Sequence, residues 1–151
     1  MDFIDRRVDA EIALRADVIS ESPAAHRQNT RTGCDLVSLA EVEESIATFG
    51  QRYLQKVFTE AEIQHCVGGQ KLAGLAARFA AKEAVIKAFA IPSAAFPLRE
   101  IEVTKTGVLP SLRLHGTTAE LANQQRWESV SISLSHSDCH ALATVFVLCN
   151  L

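Results

Sequence analysis

Four charged residues interrupt an alanine-rich stretch of this sequence: Arg78, Lys82, Glu83 and Lys87 all lie within residues 72–89. The stretch contains no Pro and consists largely of strong helix formers, which predicts a long helix. Most of its surface is apolar, which is typical of a buried helix. A charge in a dry core costs on the order of several kcal/mol unless something pairs with it. We therefore expect partners for these charges: other side chains, a metal ion or an anionic ligand.

The positions of these charges around the helix leave two interpretations open. Glu83 and Lys87 are four residues apart and share a face, whereas Lys82 projects into the apolar arc. In the simpler interpretation, Glu83 and Lys87 form an ion pair on a solvated stripe and Lys82 extends to water. In the functional interpretation, the cations hold an anion.

Asp35 is a single acid within the apolar run CDLVSL, residues 34–39, which is typical of a buried strand. Taken alone, Asp35 is better explained as a cap at the end of the strand than as a metal ligand. Together with Glu83, the interpretation of Asp35 as a metal ligand becomes more favourable, because proteins usually contribute two carboxylates to a magnesium site. Arg78, Lys82 and Lys87 could then hold the phosphates of a substrate.

Ser135, His136 and Ser137 lie between two predicted strands. They form either a polar turn, the simpler interpretation, or a set of hydroxyls and an imidazole at the mouth of a ligand cleft. A serine hydrolase is weakly supported, because the sequence contains no Gly-x-Ser-x-Gly elbow around these serines.

Length and composition predict one globular domain, with 151 residues, 48% hydrophobic and 22% charged. The net charge of −3 argues against non-specific binding to nucleic acid. No apolar run is long enough to span a bilayer and the N-terminus lacks a signal-peptide core, so we expect a cytoplasmic protein without membrane attachment. The four cysteines lack the spacing of a zinc site or a redox pair.

The pattern of elements predicts an α+β fold, with a small antiparallel sheet packed against a long central helix. Residues 1–32 are expected to form a partly flexible N-terminal extension, with a short amphipathic helix at 1–19, and residues 33–151 to form the domain. The last three strands are expected to form an antiparallel meander interrupted by a helix. A capping box at Thr59 and Glu62 marks a short helix before the long one. The predicted strands lie at 34–39, 99–105, 112–114, 130–134 and 141–148, and the other helices at 40–49, 72–89 and 117–125.

Five motifs occur in the order found in a known family. They are Gly33-Cys34-Asp35, the segment from Arg52 to Glu62, the helix RFAAKEAVIKAF at 78–89, the strand and hairpin from Ile101 to Pro110, and the SISLSHS run at 131–137. Over residues 33–148 the chain resembles a 4′-phosphopantetheinyl transferase of the holo-acyl-carrier-protein synthase type. The helix at 78–89 is the most specific of these motifs.

The resemblance implies an enzyme that moves the 4′-phosphopantetheine arm of coenzyme A onto a serine of an apo acyl carrier protein. The second product is adenosine 3′,5′-bisphosphate. Such enzymes serve fatty acid or polyketide biosynthesis, and small members of the family commonly form homotrimers with the site at the subunit interface.

The resemblance also implies roles for individual residues. Asp35 and Glu83 match magnesium ligands, Lys87 matches a lysine near the phosphates, and His136 matches a histidine of the coenzyme A site. We expect Glu83 and Lys87 to be catalytic, with Glu83 as the base for the carrier serine and Lys87 stabilising the leaving phosphate. The residues expected to bind coenzyme A are Arg78, Lys82, Lys87, Ser135 and His136.

Several positions depart from the family pattern. Glu41 stands where a basic residue usually meets the carrier protein, and Glu43 and Glu44 follow it. Residues 90–93 lack the usual glycines, and the hairpin that contains Gly107 is one residue longer. Residues 1–32 have no counterpart in short members of the family.

Three other functions are considered. The main alternative is a non-catalytic relative that binds coenzyme A or a carrier protein. The retained Asp35, Glu83 and Lys87 argue against it, while Glu41 and the missing glycines argue weakly for it. A metal-dependent phosphohydrolase would need a positioned water in place of the carrier serine. A purely structural protein is the weakest interpretation, because it would leave Lys82 in an apolar arc with nothing to bind.

Overall fold

The fold was derived from a computed structural model, which describes residues 29–92, 94–106 and 108–150. It is an α+β fold, as predicted. The strands are β1 (Asn29–Ser38), β2 (Ile101–Thr106), β3 (Leu109–Leu114), β4 (Trp127–His136) and β5 (His140–Cys149). The helices are α1 (Leu39–Phe49), α2 (Gln51–Val57), α3 (Glu60–His65), α4 (Lys71–Phe89) and α5 (Gly116–Gln124). Among the described residues, no helix is both long and apolar enough to cross a membrane.

The start of β1 lies before the predicted start of the domain. Strand pairing begins at Asn29, opposite Cys149, whereas the domain was expected to begin at Gly33. Residues 1–28, which include the predicted N-terminal helix and most of the predicted linker, lie outside the described residues. The division into an extension and a domain stays a prediction.

The sheet topology corrects the predicted meander. Strands β1, β5 and β4 form one antiparallel sheet in that order, while β2 and β3 form a separate hairpin. Strand β5 is the central strand of this sheet. Alternate residues of β5 from Ala141 to Cys149 are buried, so one face of the strand faces the core. Among the described strands β4 pairs with β5 alone, and β3 pairs with β2, so β3 does not join this sheet.

Helix α4 packs against one face of the three-stranded sheet through its small side chains. Ala76, Ala80, Ala81 and Ala84 are completely buried in the core. Small side chains allow a helix and a sheet to approach closely, and the approach is closest at Gly33 of β1. A Cβ atom added at Gly33 would lie 1.8 Å from the carbonyl oxygen of Ala84, so only glycine fits at this position.

Lys82 of α4 is completely buried and binds three other parts of the domain. Its Nζ donates to Glu62 Oε2 at 2.8 Å, to the Leu98 carbonyl oxygen at 3.0 Å and to the Ile101 carbonyl oxygen. Glu62 accepts further hydrogen bonds from the backbone N–H groups of Thr59 and Val103, at 2.8 and 2.9 Å. The capping box predicted at Thr59 is therefore confirmed, and its Glu62 also pairs with Lys82.

The buried pair fixes α3 and β2 against α4. Burial lowers the pKa of the Lys82 ammonium, while the Glu62 carboxylate opposes this shift. A buried ion pair is weak evidence for net stability, but removal of one partner leaves an uncompensated charge in the core.

We expect the Lys82→Met substitution to destabilise the domain by about 3–5 kcal/mol, because Glu62 would keep a buried charge without its cation. The free energy of unfolding from urea titration measures this. The double variant Glu62→Gln, Lys82→Met should recover part of the loss, since it buries no unpaired charge. Wild-type stability in Lys82→Met would contradict this interpretation of the pair.

Candidate active site

The structure brings together three of the predicted site residues, Asp35, Glu83 and Lys87. Gly33, Asp35 and Val37 alternate along β1 on the face that packs against α4, so the Asp35 side chain meets the helix. The Lys87 Nζ lies 2.6 Å from Asp35 Oδ1 and 3.0 Å from the Cys34 carbonyl oxygen. One ammonium therefore bridges the backbone and a side chain of two successive residues of β1.

The side chains of this cluster differ in exposure. Asp35 is only 15% exposed and Lys87 is 54% exposed. Lys87 therefore reaches from solvent to a carboxylate that is mostly buried. Its hydrogen bond to Asp35 raises the pKa of Lys87, against a smaller effect of desolvation.

The pKa of Glu83 is raised, chiefly by burial and further by the negative charge of Asp35, while Lys87 opposes the shift. The simpler interpretation of the sequence, a Glu83–Lys87 ion pair on a solvated stripe, is wrong. Glu83 is half-buried, and Lys87 pairs with Asp35.

The two carboxylates fit a divalent cation. Asp35 and Glu83 come from different elements, and the negative charge of Asp35 raises the pKa of Glu83. A cation between them would relieve this repulsion. In the described part of the chain, no group of three or more His, Cys, Asp and Glu side chains could hold a metal. Two carboxylates, completed by waters and substrate phosphates, match the preference of Mg²⁺ rather than that of zinc.

The prediction that Lys82 binds coenzyme A is wrong. Its ammonium is completely buried, and its three donors are all taken by Glu62 and by two backbone carbonyls. Lys82 and Glu83 are adjacent in sequence and therefore point about 100° apart around α4. The first faces α3 and β2, and the second lies near Asp35.

Arg78 lies one helical turn before Lys82 and about half a turn around α4 from Lys87. It is buried, and its Nη1 donates to the Gly74 carbonyl oxygen at 3.1 Å. Its Nε has no hydrogen-bond partner among the described residues. Within one chain, Arg78 is therefore not part of the cluster around Asp35.

Ser135 and His136 are exposed at the end of β4. Leu134 of β4 and Asp35 of β1 both pair with Ala143 of β5, so the end of β4 lies two strands away from Asp35. Two strand spacings amount to roughly 10 Å. The structure places these residues at the same end of the sheet, but one chain does not bring them into contact with the cluster.

Tyr53 is a site residue that the sequence analysis did not identify. Burial raises the pKa of its phenol, and the negative charge of Glu83 raises it further. Tyr53 belongs to a segment that resembles the family, but nothing in its spacing connects it with Glu83.

A groove of about 370 Å³ is lined by Phe49, Arg52, Tyr53 and Lys56, where α1 meets α2. Phe49 is 60% exposed. Tyr53 lines this groove, and its phenol is also the group whose pKa the charge of Glu83 raises. Two cations and an exposed aromatic ring make this surface suitable for an acidic partner.

A second cavity, of about 560 Å³, lies on the face of the sheet opposite α4. Lys87 contributes to its lining, together with hydroxyl, thiol and aromatic side chains. Leu36 and Phe146 are exposed on the same face, at 62% and 45%. We call this surface the outer sheet face; its side chains include Thr32, Cys34, Leu36, Ser131, Ser133, Thr144 and Phe146.

Proteins of similar sequence share one activity in their names. The chain is 40% identical over 122 residues to the holo-[acyl-carrier-protein] synthase of Herpetosiphon aurantiacus, covering 76% of this chain and 94% of the relative. It is 39% identical over 118 residues to the synthase of Moorella thermoacetica, covering 77% and 90%.

Solved structures of similar fold have the same family name. The apo-ACPS structure of Chronobacterium ammoniagenes has a TM-score of 0.73 and 28% identity, and covers 83% of this chain and 100% of that one. Its ACPS–CoA complex has a TM-score of 0.71 and 27% identity, and covers 82% and 99%. The Helicobacter pylori synthase in complex with coenzyme A has a TM-score of 0.66 and 28% identity, and covers 77% and 98%.

The family assignment rests on sequence over most of the domain. A sequence model of the 4′-phosphopantetheinyl transferase superfamily matches residues 31–145, which include Asp35, Glu83, Lys87 and the end of β4. The chain therefore belongs to the 4′-phosphopantetheinyl transferase superfamily.

Proposed function

We propose that this protein transfers the 4′-phosphopantetheine group of coenzyme A to a serine of an apo acyl carrier protein and releases adenosine 3′,5′-bisphosphate. The observation that carries the proposal is the cluster of Asp35, Glu83 and Lys87 at the contact between β1 and α4. The names of the relatives, and the coenzyme A complexes of similar structures, support the same reaction.

The reaction replaces the phosphoanhydride bond of the pyrophosphate by a phosphate ester bond to serine. The serine oxygen attacks the phosphorus that carries the pantetheine arm, and the bond from this phosphorus to the bridging oxygen of the pyrophosphate breaks. Asp35 and Glu83 are the residues that would hold Mg²⁺. When bound, the cation would supply neutralisation of the pyrophosphate charge.

Two side chains of the protein would take up the serine proton and stabilise the negative charge on the leaving phosphate. Glu83, directly or through a water, is the proposed acceptor of the serine proton. Lys87, a largely exposed cation beside Asp35, donates to the leaving phosphate. Magnesium dependence belongs to this proposal.

The remaining coenzyme A contacts are proposed at Arg78, Ser135 and His136. Arg78 supports this role through a buried guanidinium whose Nε is unpartnered in the described chain. Within a single subunit these residues lie apart from Asp35. We therefore infer that the complete site combines residues of neighbouring subunits in a homotrimer. The outer sheet face, with exposed Leu36 and Phe146, supports contact with another copy.

The carrier protein is proposed to dock on α2 rather than on α1. Helix α1 exposes Glu41, Glu43 and Glu44, which would repel an acidic carrier surface. Helix α2 instead offers Arg52 and Lys56, which line the groove together with Tyr53. A carrier protein of fatty acid or polyketide biosynthesis could dock in this way. The cytoplasmic location of the protein stays a prediction from the sequence.

The transfer itself is tested by the intact mass of an apo acyl carrier protein after incubation with this protein, coenzyme A and Mg²⁺. We expect a gain of one phosphopantetheine arm, which a chelator abolishes. Glu83→Gln should lower the rate by about 100-fold or more, because it removes the base and a metal ligand. Glu43→Gln, a matched exposed position on α1, should keep wild-type activity.

Two results would contradict the proposed transfer. No gain of mass on any carrier in a panel of fatty acid and polyketide carriers, with coenzyme A still bound, would favour the non-catalytic alternative. Release of phosphate from coenzyme A without a carrier would favour the phosphohydrolase.

The assembly is tested by Phe146→Glu. A charge on the outer sheet face should convert the trimer to monomers and remove transfer activity, since the site would lose the residues of its neighbour. Size-exclusion chromatography with light scattering measures the mass. Val108→Glu, at the exposed tip of the β2–β3 hairpin, should change neither property. A wild-type protein that is monomeric would contradict the proposed assembly.

The carrier dock is tested by Arg52→Glu. We expect the KM for the carrier protein to rise by about tenfold, because reversal of the charge on α2 weakens attraction to an acidic partner. The KM for coenzyme A should stay unchanged. Lys105→Glu, on strand β2, serves as the control for a general loss of positive charge. An unchanged KM for the carrier in Arg52→Glu would place the dock elsewhere.

A further inference from the structure

Lys87 binds the carboxylate of Asp35, which is also a proposed ligand of the metal. Its Nζ lies 2.6 Å from Asp35 Oδ1, closer than its 3.0 Å contact with the Cys34 carbonyl oxygen. The short contact makes Lys87 the counter-ion of Asp35. Glu83 adds a second carboxyl group, so the cluster has two carboxyl groups and one ammonium group.

A divalent cation at Asp35 and Glu83 would alter this balance. It would repel the Lys87 ammonium, because both are positive charges directed at one carboxylate. Lys87 can leave at low cost, since its side chain is 54% exposed and its ammonium can be hydrated. The cation and Lys87 therefore compete for Asp35.

Substrate phosphate would relieve the competition. Lys87 lines the cavity of the outer sheet face, where a pyrophosphate could accept its hydrogen bonds once Asp35 is released. An anion between the ammonium and the cation would also reduce their repulsion. Each ligand would then favour binding of the other, because coupling between two binding events is reciprocal.

From these contacts we propose that Lys87 competes with the divalent cation for Asp35 and thereby couples cation binding to binding of coenzyme A. In this role Lys87 is a positioning residue of the metal site, in addition to its contact with the phosphates. The inference rests on the proposed function in taking Asp35 and Glu83 as the metal ligands and coenzyme A as the source of the phosphates.

The test is binding of Mn²⁺, followed by the electron paramagnetic resonance signal of the free ion, with the full chain and no carrier protein. Without coenzyme A, Lys87→Met should bind Mn²⁺ about tenfold more tightly than the wild type, since the competitor is gone. Lys87→Arg, which keeps the charge, should bind as the wild type does. Lys71→Met, an exposed lysine at the start of α4, is the matched control and should change nothing.

A second titration measures the coupling. Coenzyme A should increase Mn²⁺ affinity more in the wild type than in Lys87→Met, because only the wild type has a competitor to be drawn away. Equal or weaker Mn²⁺ binding by Lys87→Met, in a variant whose thermal unfolding matches the wild type, would overturn the inference and leave the metal site intact. If Asp35→Asn binds Mn²⁺ as well as the wild type does, the metal site of the proposed function fails as well.

Discussion

The close contact between β1 and α4 determines how this domain is built. At Gly33 the strand lies so near the Ala84 carbonyl oxygen that a Cβ atom would overlap it. The alanines of α4 allow the same approach along the helix. Because strand residues alternate in direction, the contact at Gly33 turns Asp35 toward the helix two residues later, where it meets Lys87 and lies near Glu83. The candidate active site is thus a consequence of backbone packing.

Helix α4 performs two separate tasks on different sides. Lys82 holds α3 and β2 through Glu62 and two backbone carbonyls. Five residues later, Lys87 is exposed and pairs with Asp35 at the candidate active site. These two lysines of α4 therefore have opposite environments: Lys82 has no contact with solvent, whereas Lys87 is available to a substrate.

Local features of this fold were predictable, and distant ones were not. The long helix followed from composition, and the capping box at Thr59 followed from spacing. The sequence also required a partner for Lys82, but it could not choose between a ligand and Glu62, which lies twenty positions earlier. Pairing of β1 with β5 joins the two ends of the domain, and no local pattern indicates it. The separation of His136 from Asp35 was likewise not predictable, because it depends on the order of the strands in the sheet.

The division of labour on α4 is tested most directly by transfer activity per folded molecule in two variants. We expect Glu62→Gln, Lys82→Met to keep transfer activity near that of the wild type once its folded fraction is measured, because both substitutions lie on the side of α4 that packs against α3 and β2. We expect Lys87→Met to keep its fold and to lose transfer activity by about 100-fold. Equal loss of transfer in both variants, each fully folded, would contradict this division of α4, since it would place Lys82 in the reaction.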